Sequence, residues 1–125
     1  MRATLTNYHQ SPRKVRLVAD LIRGKSVPHA RAALLFLSKK SSPALSKLLD
    51  SAVANARMSG ASADSLIVKK ITVDKGLVMR RGRPFARGRS GIIRKTSSIV
   101  CIELASVAPS KKKVARKARV AKEAK

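Results

Sequence analysis

From Gly76 to Gly91 the chain reads GLVMRRGRPFARGRSG, flanked by runs rich in β-branched residues, Leu66–Val73 and Ile92–Leu104. Two β-forming arms around an Arg/Gly segment predict an antiparallel hairpin with a long basic tip. That segment holds five arginines (Arg80, Arg81, Arg83, Arg87, Arg89), four of the six glycines in the protein, and no acid. A guanidinium bonds phosphate oxygens as a planar fork and stacks on bases, so such a tip suits a polyanion. Pro84 cannot donate to a strand ladder and predicts a bend within the tip. An extended arm of ten residues, Leu66–Lys75, covers about 33 Å, enough to carry the tip clear of a small body.

The charge is not confined to the tip. Twenty-nine Lys and Arg stand against six acids, a formal net charge of +23 on 125 residues. The tip accounts for +5 and residues 105–125 for +7, leaving +11 on the other 88 residues. Self-repulsion on this scale calls for a counter-charged partner that touches much of the surface. A membrane fits poorly. There is no apolar run of transmembrane length, MRATLTNYHQSPRK has no apolar signal region, and the tail's largest apolar residues are Val107, Val114 and Val120. Nucleic acid fits better. With only Tyr8, Phe36 and Phe85 aromatic, stacking of successive bases on an aromatic platform is not expected. Recognition of phosphate and shape in folded or double-stranded nucleic acid is.

Three helices precede the hairpin. Ser11-Pro12 starts the first and Gly24 closes it, with Val15, Val18, Ala19 and Ile22 on one face and Leu17 and Leu21 widening it. Arg13, Lys14 and Arg16 crowd its first turn, where the helix dipole disfavours cations, a conflict that nearby phosphates would relieve. The second helix spans Pro28 to Ser38, with Ala30, Ala33, Leu34 and Leu37 as its stripe. Ser42-Pro43 opens the third and Gly60 ends it; Leu45, Leu48, Leu49, Ala52, Val53 and Ala56 follow helical spacing without a break. Asn55, a weak helix former inside this segment, is placed to bond a neighbouring loop or a ligand. An early strand, Ala3–Tyr8, adds an edge to the hairpin sheet. In the arms, Val100, Ile102, Leu104 and Val68 make the inward face near the base, while Lys69, Lys70, Lys75, Arg94 and Lys95 make the chain basic towards the tip. The expected fold is α+β: a small body of three helices and an antiparallel sheet, a long protruding hairpin (66–104, tip 76–91) and a basic tail. One domain covers 1–104, and 105–125 is too polar to pack and is expected to be disordered until bound.

Residues for catalysis are missing. His9 and His29 have no acid at ligand spacing, and with Cys101 they make no plausible metal set. The six acids are dispersed, no serine sits in a nucleophile elbow, and GRPFARGRSG lacks the lysine-hydroxyl ending of a P-loop. Cys101 reads as a small apolar strand residue. No enzyme activity, cofactor or metal is expected.

SPRKVRLVADLIRGKSV (Ser11–Val27), LLDSAVANA (Leu48–Ala56), ITVDKG (Ile71–Gly76), RRGRPFARGR (Arg80–Arg89) and IIRKTSSIVCIEL (Ile92–Leu104) together resemble the bacterial ribosomal protein L22 (uL22) family over residues 2–104. The resemblance implies a cytoplasmic, ribosome-bound constituent of the large subunit that binds several domains of 23S-type rRNA and supports assembly. It implies a hairpin that lines the polypeptide exit tunnel near the macrolide region, with uL4 across a constriction and the nascent polypeptide passing by. No membrane contact and no homo-oligomer are implied. Carried onto this chain, the rRNA-binding residues are Arg13, Lys14 and Arg16 in the body and Lys69, Lys70, Arg83, Arg87, Arg89, Arg94 and Lys95 on the hairpin. Met79, Arg80, Arg81, Gly82 and Arg83 line the tunnel, with Arg80 and Arg81 at its narrowest point. Lys75, Phe85 and Ser98 depart from the family's usual acidic, basic and histidine residues. A free nucleoid-type DNA-binding protein with a β-arm is the alternative that shares the charge and the hairpin.

Overall fold

A computed structural model describes residues 1–106; the segment 107–125, which holds nearly all of the expected tail, lies outside the described residues. Strand β1 (Arg2–Tyr8) leads into helices α1 (Pro12–Ile22), α2 (Val27–Phe36) and α3 (Ser42–Met58), a short 3-10 turn (Ala63–Ser65), and strands β2 (Leu66–Pro84) and β3 (Ser90–Ser106). The sheet is antiparallel in the order β1-β3-β2, so the early strand adds the expected edge. Each helix starts on a serine with proline at its first or second position, which fixes φ where no intrahelical N–H is needed. Gly24 and Gly60 leave α1 and α3 with φ of +74° and +79°, a conformation glycine adopts without penalty.

The core lies between the helices and one face of the sheet. Val15, Val18, Ala19 and Ile22 from α1, Ala30 and Leu34 from α2, and all six predicted residues of α3 are buried against Val68, Ile71, Val73, Val100, Ile102 and Leu104. Leu17 and Leu21 do not widen the α1 face: they are 72% and 38% exposed. At about 100° per residue Leu17 falls on the side of the helix opposite the buried stripe, and Leu21 falls well off it. Helix α2 ends at Phe36, two residues short of the expected Ser38, and Leu37 packs against the core from the loop. The Ser42 hydroxyl donates to the Leu34 carbonyl and ties the α2–α3 turn. Asn55 Nδ2 donates to the Arg2 carbonyl at 3.1 Å, so this residue bonds strand β1.

The inward face of β2 switches phase, which simple alternation does not predict. Leu66 and Val68 point inward, and so do Ile71 and Val73. The register shifts between Val68 and Lys70, with Leu104 opposite Val68 and Glu103 opposite Lys70. Lys69 is the extra residue of this bulge, and it resets the two-residue period. Lys69 and Lys70 are consequently both exposed although they are neighbours on one strand.

Candidate nucleic-acid interface

A second register shift, between Lys75 and Val78, marks where the hairpin leaves the body. Gly76 is the residue that permits it: a Cβ there would lie 2.7 Å from Ser97 Oγ, a group held by its bond to the Leu77 carbonyl at 3.0 Å. Strand β1 pairs with β3 only as far as Tyr8 opposite Ser98. From Val78 opposite Thr96 outward, β2 and β3 continue alone as a two-stranded ribbon. Seven residues per strand carry that ribbon about 20 Å from the sheet. Between Asp74 and Glu103 the chain has eight basic side chains and no acid.

The ladder runs deeper into the Arg/Gly segment than its composition suggests. Pairing continues to Pro84 opposite Ser90, leaving Phe85–Arg89 as the turn. Pro84 ends β2, where no ladder N–H is needed. Arg87 and Gly88 adopt φ of +59° and +70°, and the Phe85 N–H donates to the Arg89 carbonyl at 2.7 Å, closing the turn. Pairing also sorts the arginines. Arg80 lies opposite Arg94, and Arg81 lies opposite Ile93. Consecutive strand residues project to opposite faces, so a single flat surface against the ribbon meets Arg80 or Arg81 and not both.

At the root of the ribbon, residues from four parts of the chain line an open cleft of about 630 Å³. His9, Gln10 and Ser11 form one wall, Lys14 comes from the first turn of α1, Lys40 from the α2–α3 loop, and Met79, Lys95 and Thr96 from the ribbon. Three lysines converge there with no acid among the lining residues. They converge at the α1 N-terminus, where the helix dipole also favours an anion. Met79 and Lys95 are opposite one another, so the cleft opens onto the ribbon face that also carries Arg81 and Arg83. Tyr8 supports this corner. Its hydroxyl donates to the Lys40 carbonyl at 3.2 Å, and burial pushes the phenol above its ordinary pKa, keeping it a donor.

The residues expected to bind nucleic acid are therefore distributed unevenly. Lys14 and Lys95 meet at the cleft, with Arg13 exposed on the adjoining turn. Arg83, Arg87 and Arg89 cluster around the turn, and Arg94 projects from the ribbon face shared with Arg80. Lys69 and Lys70 lie farther back, on the bulge beside the body. Arg16 has a task within the protein: its Nε and Nη2 donate to the Val73 carbonyl at 3.1 and 2.9 Å. Arg23, two helical turns on, donates to the Ile71 carbonyl at 3.3 Å and pairs with Asp20 at 2.8 Å. Together with the pairing of Gly24 and Lys25 to Val68, these contacts cover the outer edge of β2 along the body. Lys40 and His9 are cleft residues that no sequence motif pointed out, because they are brought there only by the return of the chain over the sheet. Among the described residues there is no group of three or more metal-ligating side chains, and no helix long and apolar enough to cross a membrane.

The family model described as ribosomal protein L22p/L17e matches residues 3–105. The large ribosomal subunit protein uL22 of Pelobacter propionicus is 50% identical over 103 residues, covering 82% of this chain and 93% of that protein. Its counterpart from Neorickettsia sennetsu is 49% identical over 112 residues, 89% of this chain and 99% of its own. The Geobacter sulfurreducens protein is 49% identical over 104 residues, 82% and 94% of the two chains.

Proposed function

The chain belongs to the ribosomal protein L22p/L17e family, and from that premise we propose that it is a structural constituent of the large ribosomal subunit, in the cytoplasm, that binds 23S-type rRNA and supports subunit assembly. It is a binding protein and not an enzyme. The observation that carries the reading is the ribbon: seven basic side chains, no acid and no core of its own, on a two-stranded arm reaching beyond the sheet. A two-stranded hairpin is marginal in water, and arginines set opposite one another make it more so. A polyanion against the ribbon supplies the missing counter-charge.

In this reading the body docks on rRNA through Arg13, Lys14, Lys69 and Lys70, with Arg16 dividing its donors between RNA and the Val73 carbonyl. The cleft at the ribbon root takes backbone phosphate on Lys14, Lys40 and Lys95. Arg83, Arg87, Arg89 and Arg94 hold rRNA along the ribbon. The stretch Met79, Arg80, Arg81, Gly82 and Arg83 carries the tunnel-lining side chains, with uL4 and the nascent polypeptide as neighbours. Because the two faces of the ribbon diverge, one of Arg80 and Arg81 faces the tunnel and the other faces its wall.

The chain is expected to co-sediment with 50S particles through a high-salt wash. Recovery on duplex DNA at low salt, with no ribosomal enrichment, would overturn the assignment in favour of a DNA-binding β-arm protein. Photo-crosslinkers at positions 80 and 81 in a stalled complex test the tunnel: one position should reach the nascent chain and the other rRNA. Crosslinks to peptide from neither would remove the tunnel from the account.

A further inference from the structure

The turn at the end of the ribbon carries the one aromatic side chain of the whole hairpin. Phe85 is 58% exposed, yet its ring is held in place. A Cβ added to Gly91 would collide with Phe85 Cε2 and lie 3.2 and 3.3 Å from Cζ and Cδ2. The neighbouring carbons are distinctly farther than the nearest one, the pattern of an approach to the ring's edge. Gly91 therefore seats the edge and covers neither face. The Arg83 guanidinium stands over the ring at 5.9 Å from its centroid, within cation–π range. The backbone beneath is fixed by the Phe85 N–H to Arg89 carbonyl bond and by the left-handed Arg87 and Gly88.

We propose that Phe85 is a stacking platform for one unpaired RNA base, with Arg87 and Arg89 taking the phosphates that flank it. The proposal rests on the rRNA-binding reading above and adds a kind of contact that phosphate recognition does not include. A planar ring seated by its edge, with an open face and a guanidinium beside it, is how proteins hold single bases. Charge selects the base over an apolar peptide side chain. Arg83, Arg87 and Arg89 concentrate phosphate around the ring, and a base arrives attached to its phosphate. The scarcity of aromatics excludes a platform for successive bases, and one ring is enough for one base.

The chain has no tryptophan, so Phe85→Trp introduces a single indole reporter, while Phe85→Leu keeps apolar bulk against Gly91 and removes the π-face. Large-subunit particles assembled with the unsubstituted chain or either variant are probed with dimethyl sulfate. One unpaired base near the turn should be protected with Phe and Trp, and about fivefold or more reactive with Leu, the low end of base–aromatic stacking. The Phe85→Trp emission, read on the variant with protein-free large-subunit rRNA so that its indole is the one reporter, should fall on binding. Equal reactivity in all three particles overturns the proposal, as does unquenched emission with crosslinks from position 85 to nascent peptide. If the unsubstituted chain itself fails to stay with the rRNA, the rRNA-binding reading falls and takes this proposal with it. Retained association with unchanged base reactivity removes the stacking platform alone.

Discussion

The body and the ribbon share two continuous strands and are stabilised by different means. In the body, Ile22, Leu45, Leu49, Ile71 and Ile102 are fully buried, and the outer edge of β2 is bonded by Arg16, Arg23 and the loop after α1. In the ribbon every residue from Arg80 to Ser90 is exposed, and only the ladder and the closing turn hold the backbone. Burial of apolar surface gives the body its own stability. The ribbon has local order and an excess of positive charge. The same arginine chemistry thus serves differently at the two ends: Arg16 ties helix α1 to the Val73 carbonyl, whereas in the ribbon Arg81 bonds only the adjacent Arg80 carbonyl and no acid between Asp74 and Glu103 pairs with the arginines.

The largest expected effects separate the two regions. Leu49→Ala empties a fully buried site where helix α3 meets the core and should cost about 2–5 kcal/mol in denaturant unfolding. Arg80→Ala with Arg81→Ala should leave that transition where it is and change only the crosslinking from the ribbon. A matching loss of stability in the double variant would break the comparison, because it would make ribbon and body one cooperative unit.

A middle-sized effect tests the boundary between them. Lys14→Ala and Lys40→Ala should each weaken rRNA binding and lower the slope of log K against log salt by about one, with unfolding unchanged. Arg16→Ala should do the reverse, costing about 1 kcal/mol of stability by freeing the Val73 carbonyl and altering the salt slope less. If Arg16→Ala moved the slope as much as Lys14→Ala and left stability alone, the first-turn cations would form one RNA-binding cluster.

Much of the body was legible because its signals are local. Serine-proline starts, glycine stops and the unbroken α3 stripe each give physical reasons for an element within a few residues of sequence. Leu17 was misjudged since an apolar residue near a stripe need not lie on it; the helix angle decides. The phase switch from Val68 to Ile71 was hidden because a bulge at Lys69 is a property of pairing with β3. The extent of the ladder was hidden for a related reason. Glycine and proline have low strand preference, yet Arg80 to Pro84 pair because the arms already in register carry them on. The basic nature of the site was plain from charge alone. Its cleft was not, since Lys14, Lys40 and Lys95 become neighbours only when a loop, a helix end and the ribbon root meet.

The smallest expected effect asks whether the ribbon's charge works against its own fold. Arg80 and Arg94 are directly opposite and both exposed, and like charges so placed destabilise a strand pair by roughly 0.2–1 kcal/mol. Arg94→Thr removes that repulsion and substitutes a better strand former. In the free protein, amides around the pair should exchange about 1.4- to fivefold more slowly, the range those energies correspond to. In the RNA complex the same substitution deletes a phosphate partner, so affinity should fall. Opposite signs in the two measurements would mean that the counter-charge stabilising this pair lies outside the chain. A variant that is unchanged in both would mean that Arg80 and Arg94 already avoid one another in solution and that Arg94 does not meet RNA. A body residue such as Leu49 can show no such reversal, because its partners are all within the protein.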